Sequence, residues 1–180
     1  MDGLRRDAAR NRARILDAAR DLAAQDVPLA LNAVARAADV GVGTVYRHFA
    51  TADELEETLV WEQLDALAEI LRHAEPAQLE HVLTAHFTLL VEDAVFERVT
   101  ARARPVLDRT ATTRTALVGR LANLLERART QGAVRADVDA AGVLLLMCGL
   151  AHAVRSAEVA ADSVPARALL RVVLDGLRAP

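Results

Sequence analysis

"NAVARAADVGVGTVYRHFATADEL" runs from Asn32 to Leu55, and its punctuation decides the fold. Val34, Ala35 and Ala38 stand at helical spacing, so 32–38 reads as a short helix. "DVGVG" interrupts it, and a second short helix follows through His48. Two short helices joined by a tight turn make a helix-turn-helix, in which the first braces the second and the second projects from the surface. Ala35, Ala38, Val40 and Val45 are small apolar residues suited to the joint. The outer face of the second helix is then Val42, Gly43, Thr44, Tyr46, Arg47 and His48. Hydroxyl, phenol, guanidinium and imidazole all donate hydrogen bonds to phosphate oxygens, and glycine lets a backbone come close. The chain's only tyrosine stands here. The chemistry alone leaves open that Tyr46 and Phe49 are plain core residues.

The helical pattern continues on both sides. Upstream, Ile15, Leu16, Ala18, Ala19, Leu22 and Ala23 repeat within an unbroken stretch over about 6–25, expected to end before Pro28. Downstream, Thr51 and Glu54 form a capping box for one long helix over about 52–74, with Leu55, Leu59, Leu64, Leu67 and Leu71 on one stripe. Further helices are expected at about 77–94, 96–104, 111–131, 139–157 and 164–178, punctuated by Pro105, Gly132 and Pro165. No stretch alternates with the period of a strand. The chain therefore reads as all-α: an N-terminal three-helix helix-turn-helix domain over 1–50, then a helical bundle over 51–180.

Composition agrees. The 180 residues are 53% hydrophobic but only 3% aromatic, with alanine and leucine dominant, which favours helices over strands. No apolar run approaches the roughly 20 residues of a membrane span, and "MDGLRRDAARNRAR" lacks the apolar stretch of a secretory signal. The single cysteine, Cys148, lies in the apolar run "VLLLMCGLA" and cannot form an internal disulfide; it reads as inert core in a cytoplasmic protein. The net charge is −3, unevenly spread. Residues 1–50 hold eight Arg against six Asp, whereas 51–180 hold fourteen Arg against nineteen acids. Arg5, Arg6, Arg10, Arg12 and Arg14 make the front end locally basic.

Enzyme chemistry finds little purchase. "GVGTVY" lacks the third glycine and the preceding strand of a dinucleotide fingerprint. His81 and His86 diverge on a helix, and no nucleophile has a base beside it. The expectation is a non-enzyme with no catalytic residues, no cofactor and no metal site.

Over about 10–59 the chain resembles the TetR family of bacterial transcriptional regulators. "ILDAARDL" and the ungapped spacing of "VARAA", "GTVYRHF" and "EL" carry the resemblance. It implies that Val42 touches bases, that Gly43 and Thr44 approach bases or phosphate, that Tyr46 and His48 bind phosphate, and that Arg47 reaches either. It also implies that Asn32, opening the first helix of the motif, reaches a base; asparagine suits adenine. Four positions depart from the family pattern: Ala30 replaces a frequent Thr, Asp39 a turn glycine, Gly41 a capping Ser, and Ala52 a Lys followed by Asp53, Glu54, Glu56 and Glu57. Weaker backbone affinity is expected, offset by the N-terminal arginines.

For the remainder, the resemblance implies a helical domain that holds a ligand and a dimer partner. "AAGVLLLMCGLAHAV" is apolar nearly all round and needs cover on two sides. Leu145 and Gly149, with Leu170 and Leu174 of the last helix, are the expected dimer face. Trp61, His86, Phe87, Leu90, Leu121 and Leu125 are the candidate ligand-binding residues. The expected function is a ligand-responsive repressor that binds a palindrome-like DNA operator as a homodimer, with an apolar or aromatic small-molecule effector and no membrane partner. The alternative is a small-molecule-binding helical protein with weak or lost DNA binding.

Overall fold

α1 (Asp2–Ala23) buries Ile15, Ala18 and Ala19 against α2 (Leu31–Ala37) and α3 (Val42–His48). Leu31, Val34 and Ala35 of α2, Val45 of α3 and Phe49 close this small core. In the computed structural model, residues 2–25 and 29–179 are described, with side chains from residue 6 onward. Pro28, the expected stop of α1, lies outside the described residues.

The helix expected over 52–74 is two helices, α4 (Ala52–Leu59) and α5 (Trp61–His73), with the break at the buried Val60. β-branched valine is a weaker helix former than its leucine and glutamate neighbours, and the residues on either side are tied to different places. Glu57 accepts hydrogen bonds from the backbone N–H groups of Val106 and Leu107, while the Trp61 indole N–H donates to the buried Thr110 hydroxyl. At the start of α4, Thr51 accepts from the Glu54 N–H at 3.1 Å, and Glu54 reaches back to the Ala50 N–H at 2.8 Å.

After a 3-10 turn at Pro76–Gln78 come α6 (Leu79–Glu92), α7 (Ala94–Ala101), α8 (Asp108–Thr130), α9 (Ala140–Ser156) and α10 (Val164–Gly176). Side-chain caps open three of these: Asp93 accepts from the Val95 and Phe96 N–H groups, Asp139 from Gly142, and Ser163 from Ala166. α8 starts at Asp108, ahead of the expected 111, with an acid in its first turn. It ends at a turn where Gly132 takes φ 69, a conformation that glycine adopts without penalty. α5 lies along α8 and α6 along α9, with α7 bridging α4 and α6. An isolated antiparallel bridge between Val134 and Arg178 ties the chain's end to the α8–α9 connection. No helix among the described residues is long and apolar enough to cross a membrane.

Candidate functional site

α3 displays what its sequence suggests. Val45 is sealed inward and Phe49 is 3% exposed, whereas Tyr46 is 51% and Val42 43% exposed. Tyr46 is therefore a surface phenol, and Phe49 alone joins the core. Gly43 and Arg47 are exposed beside it, with Thr44 and His48 half-buried. The Arg47 Nε–H is turned back onto the Gly43 carbonyl at 3.1 Å. Asn32 is exposed in the first turn of α2. A Cβ at Gly43 would meet nothing within 4 Å, so packing within the chain does not require a glycine there.

α4, the next helix after α3 in the chain, is fastened to α7 by charges that look solvated in the sequence. Glu56 is 5% and Glu57 0% exposed. Arg98 donates to Glu56 through Nε at 3.2 Å and Nη2 at 3.1 Å, and Arg102 pairs with the same carboxylate. Arg102 also reaches Asp53 at 2.8 Å, and its Nη1 stands 4.0 Å from Glu57. The two Glu57 bonds to the chain before α8, at 2.7 and 2.9 Å, complete the latch. These glutamates are spent on the bundle rather than displayed near α3.

A cavity of about 480 Å³ lies within the bundle, walled by α5, α6, α7, α8 and α9. Leu64, Leu83, Phe96 and Leu121 form its depth. Val118 at 40% exposure and Leu145 at 75% stand at its mouth. Of the six residues expected to bind ligand, the structure brings His86 and Leu121 to the wall. Phe87, Leu90 and Leu125 are buried but are not wall residues: Phe87 is turned about 100° from His86, and Leu90 and Leu125 fall one turn beyond His86 and Leu121, the last wall residues of α6 and α8. Trp61 is not a wall residue either: it is held to Thr110 at 3.1 Å, and the Arg109 guanidinium covers its ring at 4.2 Å. The polar wall groups are His86, Thr100, Arg114 and Cys148. Burial lowers the His86 pKa from 6.5 to about 4, so this imidazole is neutral near pH 7. Burial likewise pushes the Cys148 thiol up, with the Glu97 carboxylate adding to it. Among the described residues, no group of three or more His, Cys, Asp or Glu side chains is arranged to hold a metal ion.

Two family models cover most of the chain. Residues 15–58 match "Bacterial regulatory proteins, tetR family", and residues 75–179 match "Transcriptional regulator SbtR-like, C-terminal domain". The chain belongs to the TetR family. It is a DNA-binding transcription regulator with a helix-turn-helix reader and a helical ligand-binding domain. Its fold is similar to that of a TetR regulatory protein from Mycobacterium vanbaalenii at 30% identity and TM-score 0.54, over 97% of this chain and 99% of that one. SCO0520 from Streptomyces coelicolor is 26% identical at TM-score 0.54, over 93% and 98% of the two chains. FadR from Bacillus subtilis, solved in complex with stearoyl-CoA, shares the fold at TM-score 0.65 and 17% identity, over 92% and 98%. No curated protein matches the chain.

As a TetR-family reader, this one is held together in its own way. Neither Ala30 nor Gly41 caps its helix with a side chain. Asp39 stands at φ 50, the left-handed conformation at which the family pattern has glycine. Arg14 of α1 donates to the Asp39 carbonyl at 3.1 Å and to its carboxylate at 3.3 Å, which holds the turn from outside. Arg12 lies over the Phe49 ring at 5.5 Å, and Arg10 pairs with Asp7. Three of the N-terminal arginines thus have structural work beside any contact with DNA. Sequence reasoning missed the latch, because Glu56 and Glu57 find their partners more than a helix away. It also missed Arg114, which reads as one more arginine in an arginine-rich helix.

Proposed function

We propose that this TetR-family protein is a repressor that binds a palindrome-like operator as a homodimer and releases it when an apolar or aromatic effector fills the bundle cavity. The observation that carries this reading is the shared framework of cavity and reader. α5 and α7 wall the cavity, and the same two segments hold α4: α5 by direct continuation through Val60, α7 through Arg98 and Arg102. A ligand that spreads α5 from α7 therefore works against the anchorage of α4, which packs on α1 beneath the reader. Two readers must sit roughly 34–36 Å apart to meet successive major grooves. A change in their spacing costs DNA affinity, and linkage requires DNA to weaken the effector equally.

Pairing of two copies is supported by what α9 and α10 turn outward. Leu145, Leu146 and Gly149 on α9 are exposed, as are Leu169 and Val172 on α10 at 49% and 70%. Leu170 and Leu174, expected on the dimer face, are instead buried within the protomer. The outward stripe of α10 is displaced around the helix from the expected one. An apolar face of this kind suits a second copy related by a two-fold axis. Leu145→Asp with Val172→Asp should give a folded monomer by light scattering where the parent chain gives a dimer.

The test of function is selection of bound fragments from random duplex DNA. A two-fold symmetric motif should be enriched, and its complex should weaken when the effector is added. Absence of any enriched sequence would overturn the regulator reading in favour of a small-molecule-binding helical protein.

A further inference from the structure

The cavity wall holds one permanent cation, Arg114, and no carboxylate. Arg98, Arg102 and Arg109, on the segments just before it, are committed to Glu56, Asp53 and Asp65. Arg114 is paired with no carboxylate: its Nη1 donates to backbone carbonyls, Arg102 at 2.9 Å and Val99 at 3.4 Å, at the end of α7. Glu57, the carboxylate that acts on it through space, is already taken by two backbone N–H groups. Arg114 stands one helical turn before Val118 on α8, hence at the mouth rather than in the depth. The depth offers hydrocarbon: Leu64, Leu83, Phe96 and Leu121. His86 adds a hydrogen-bonding group but no charge.

We infer that the cavity takes an amphiphile with a single anionic head, a carboxylate seated on the Arg114 guanidinium at the mouth, and a hydrocarbon tail lying along Leu64, Leu83 and Leu121. This rests on the reading of the cavity as the effector site and names the chemical class of its occupant. A guanidinium presents a planar fork that matches a carboxylate. One cation balances one such charge, and half-burial beside apolar walls makes the pairing stronger than it would be in water. An apolar ligand without the head would bury the tail but leave the fork facing water.

The test uses the full chain and three probes with one tail: decanoate, decanol and decylammonium. By calorimetry, decanoate should bind about 10- to 100-fold more tightly than decanol, the worth of one charge-assisted contact, and decylammonium more weakly than either. Arg114→Gln should bring decanoate and decanol within about threefold of each other while leaving the decanol affinity in place. Cys148, the only cysteine and a wall residue, reports location: decanoate should slow its modification by a thiol reagent. Equal affinities in the parent chain, a preference for the cation, no binding of any probe, or decanoate that leaves Cys148 unprotected would each overturn the inference. Should Arg114→Gln fail to fold, the three probes and Cys148 protection on the parent chain still decide it. Decanol that protects Cys148 at as low a concentration as decanoate does would remove the anionic head yet leave the cavity as the effector site. Operator selection, which needs no ligand, tests the regulator reading separately.

Discussion

Tyr46 on α3 stands half in solvent with its hydroxyl free for an outside partner, while Glu57, one helix later, is sealed away with both oxygens occupied. The reader turns its polar chemistry outward and keeps a small apolar core of isoleucine, leucine, valine, alanine and one phenylalanine behind it. The bundle does the reverse, burying carboxylates against arginines and leaving leucines and valines on α9 and α10 exposed. Polar groups on the reader are available for recognition; those in the bundle hold elements in register. A substitution in the bundle should therefore cost folding free energy, and one on the reader should cost DNA affinity with little loss of stability.

The largest test of that contrast is Glu57→Ala. It leaves the Val106 and Leu107 N–H groups and part of Arg102 without their acceptor in a dry site. Removal of one partner from a buried charged arrangement costs about 3–5 kcal/mol. Urea unfolding followed by circular dichroism should show a loss of that order. A loss below about 1 kcal/mol, the level of an exposed pair, would mean that the latch is solvated and the contrast fails.

The next test is pH. His86 has its folded-state pKa lowered to about 4 from 6.5, by burial. Below about pH 6.5 the unfolded chain takes up a proton that the folded chain refuses, so stability falls as pH drops toward 4; below that both states are protonated and the loss stops. The full difference amounts to about 3 kcal/mol. Phe96, whose ring meets His86 edge-on at 6.2 Å, gives the imidazolium no partner. Unfolding measured at pH 7 and pH 4.5 should fall further for the parent chain than for His86→Leu. Parallel losses would show that water reaches the imidazole and that this wall of the cavity is wet.

How much of this was legible in the sequence follows the same division. The reader was legible because its rules are local: the spacing of Val34, Ala35, Ala38 and Val45 defines the inner face, and what remains is the outer one. Only the choice between surface and core for Tyr46 and Phe49 needed the fold. In the bundle, helices were legible but their rotations were not. Each residue is turned about 100° around a helix from the next, so Leu169 and Val172 point well away from Leu170 and Leu174 although all four lie within six residues. A cavity is a gap between five helices, so no periodicity marks its wall; His86 and Leu121 fall on it while Phe87, Leu90, Leu125 and Trp61 do not. The break at Val60 depends on anchors supplied by Val106, Leu107 and Thr110, which no local pattern announces.

On the reader, Tyr46→Phe should lower operator affinity by about 1 kcal/mol, the worth of one hydrogen bond, on most sequences alike. The salt dependence should barely change, since no charge is lost. Fluorescence anisotropy against salt measures both. Unaltered affinity would remove the phenol from the interface, and a loss confined to some sequences would make it a base reader.

Gly43→Ala gives the smallest folding effect and separates the two kinds of residue most cleanly. An added methyl at Gly43 meets nothing within the chain, and alanine is the better helix former by roughly 0.5–1 kcal/mol. Stability should therefore rise slightly, or hold. Operator affinity should fall, because the methyl stands on the exposed face of α3 that the proposed function sets against DNA and would keep the backbone away from it. A glycine retained for close approach predicts these opposite signs; one retained for folding predicts that both properties decline. Unfolding in urea and operator titration on the same preparation distinguish them. A variant that is more stable and binds DNA unchanged would show that α3 does not approach DNA closely at Gly43, and would move the closest contact toward Thr44 and Tyr46.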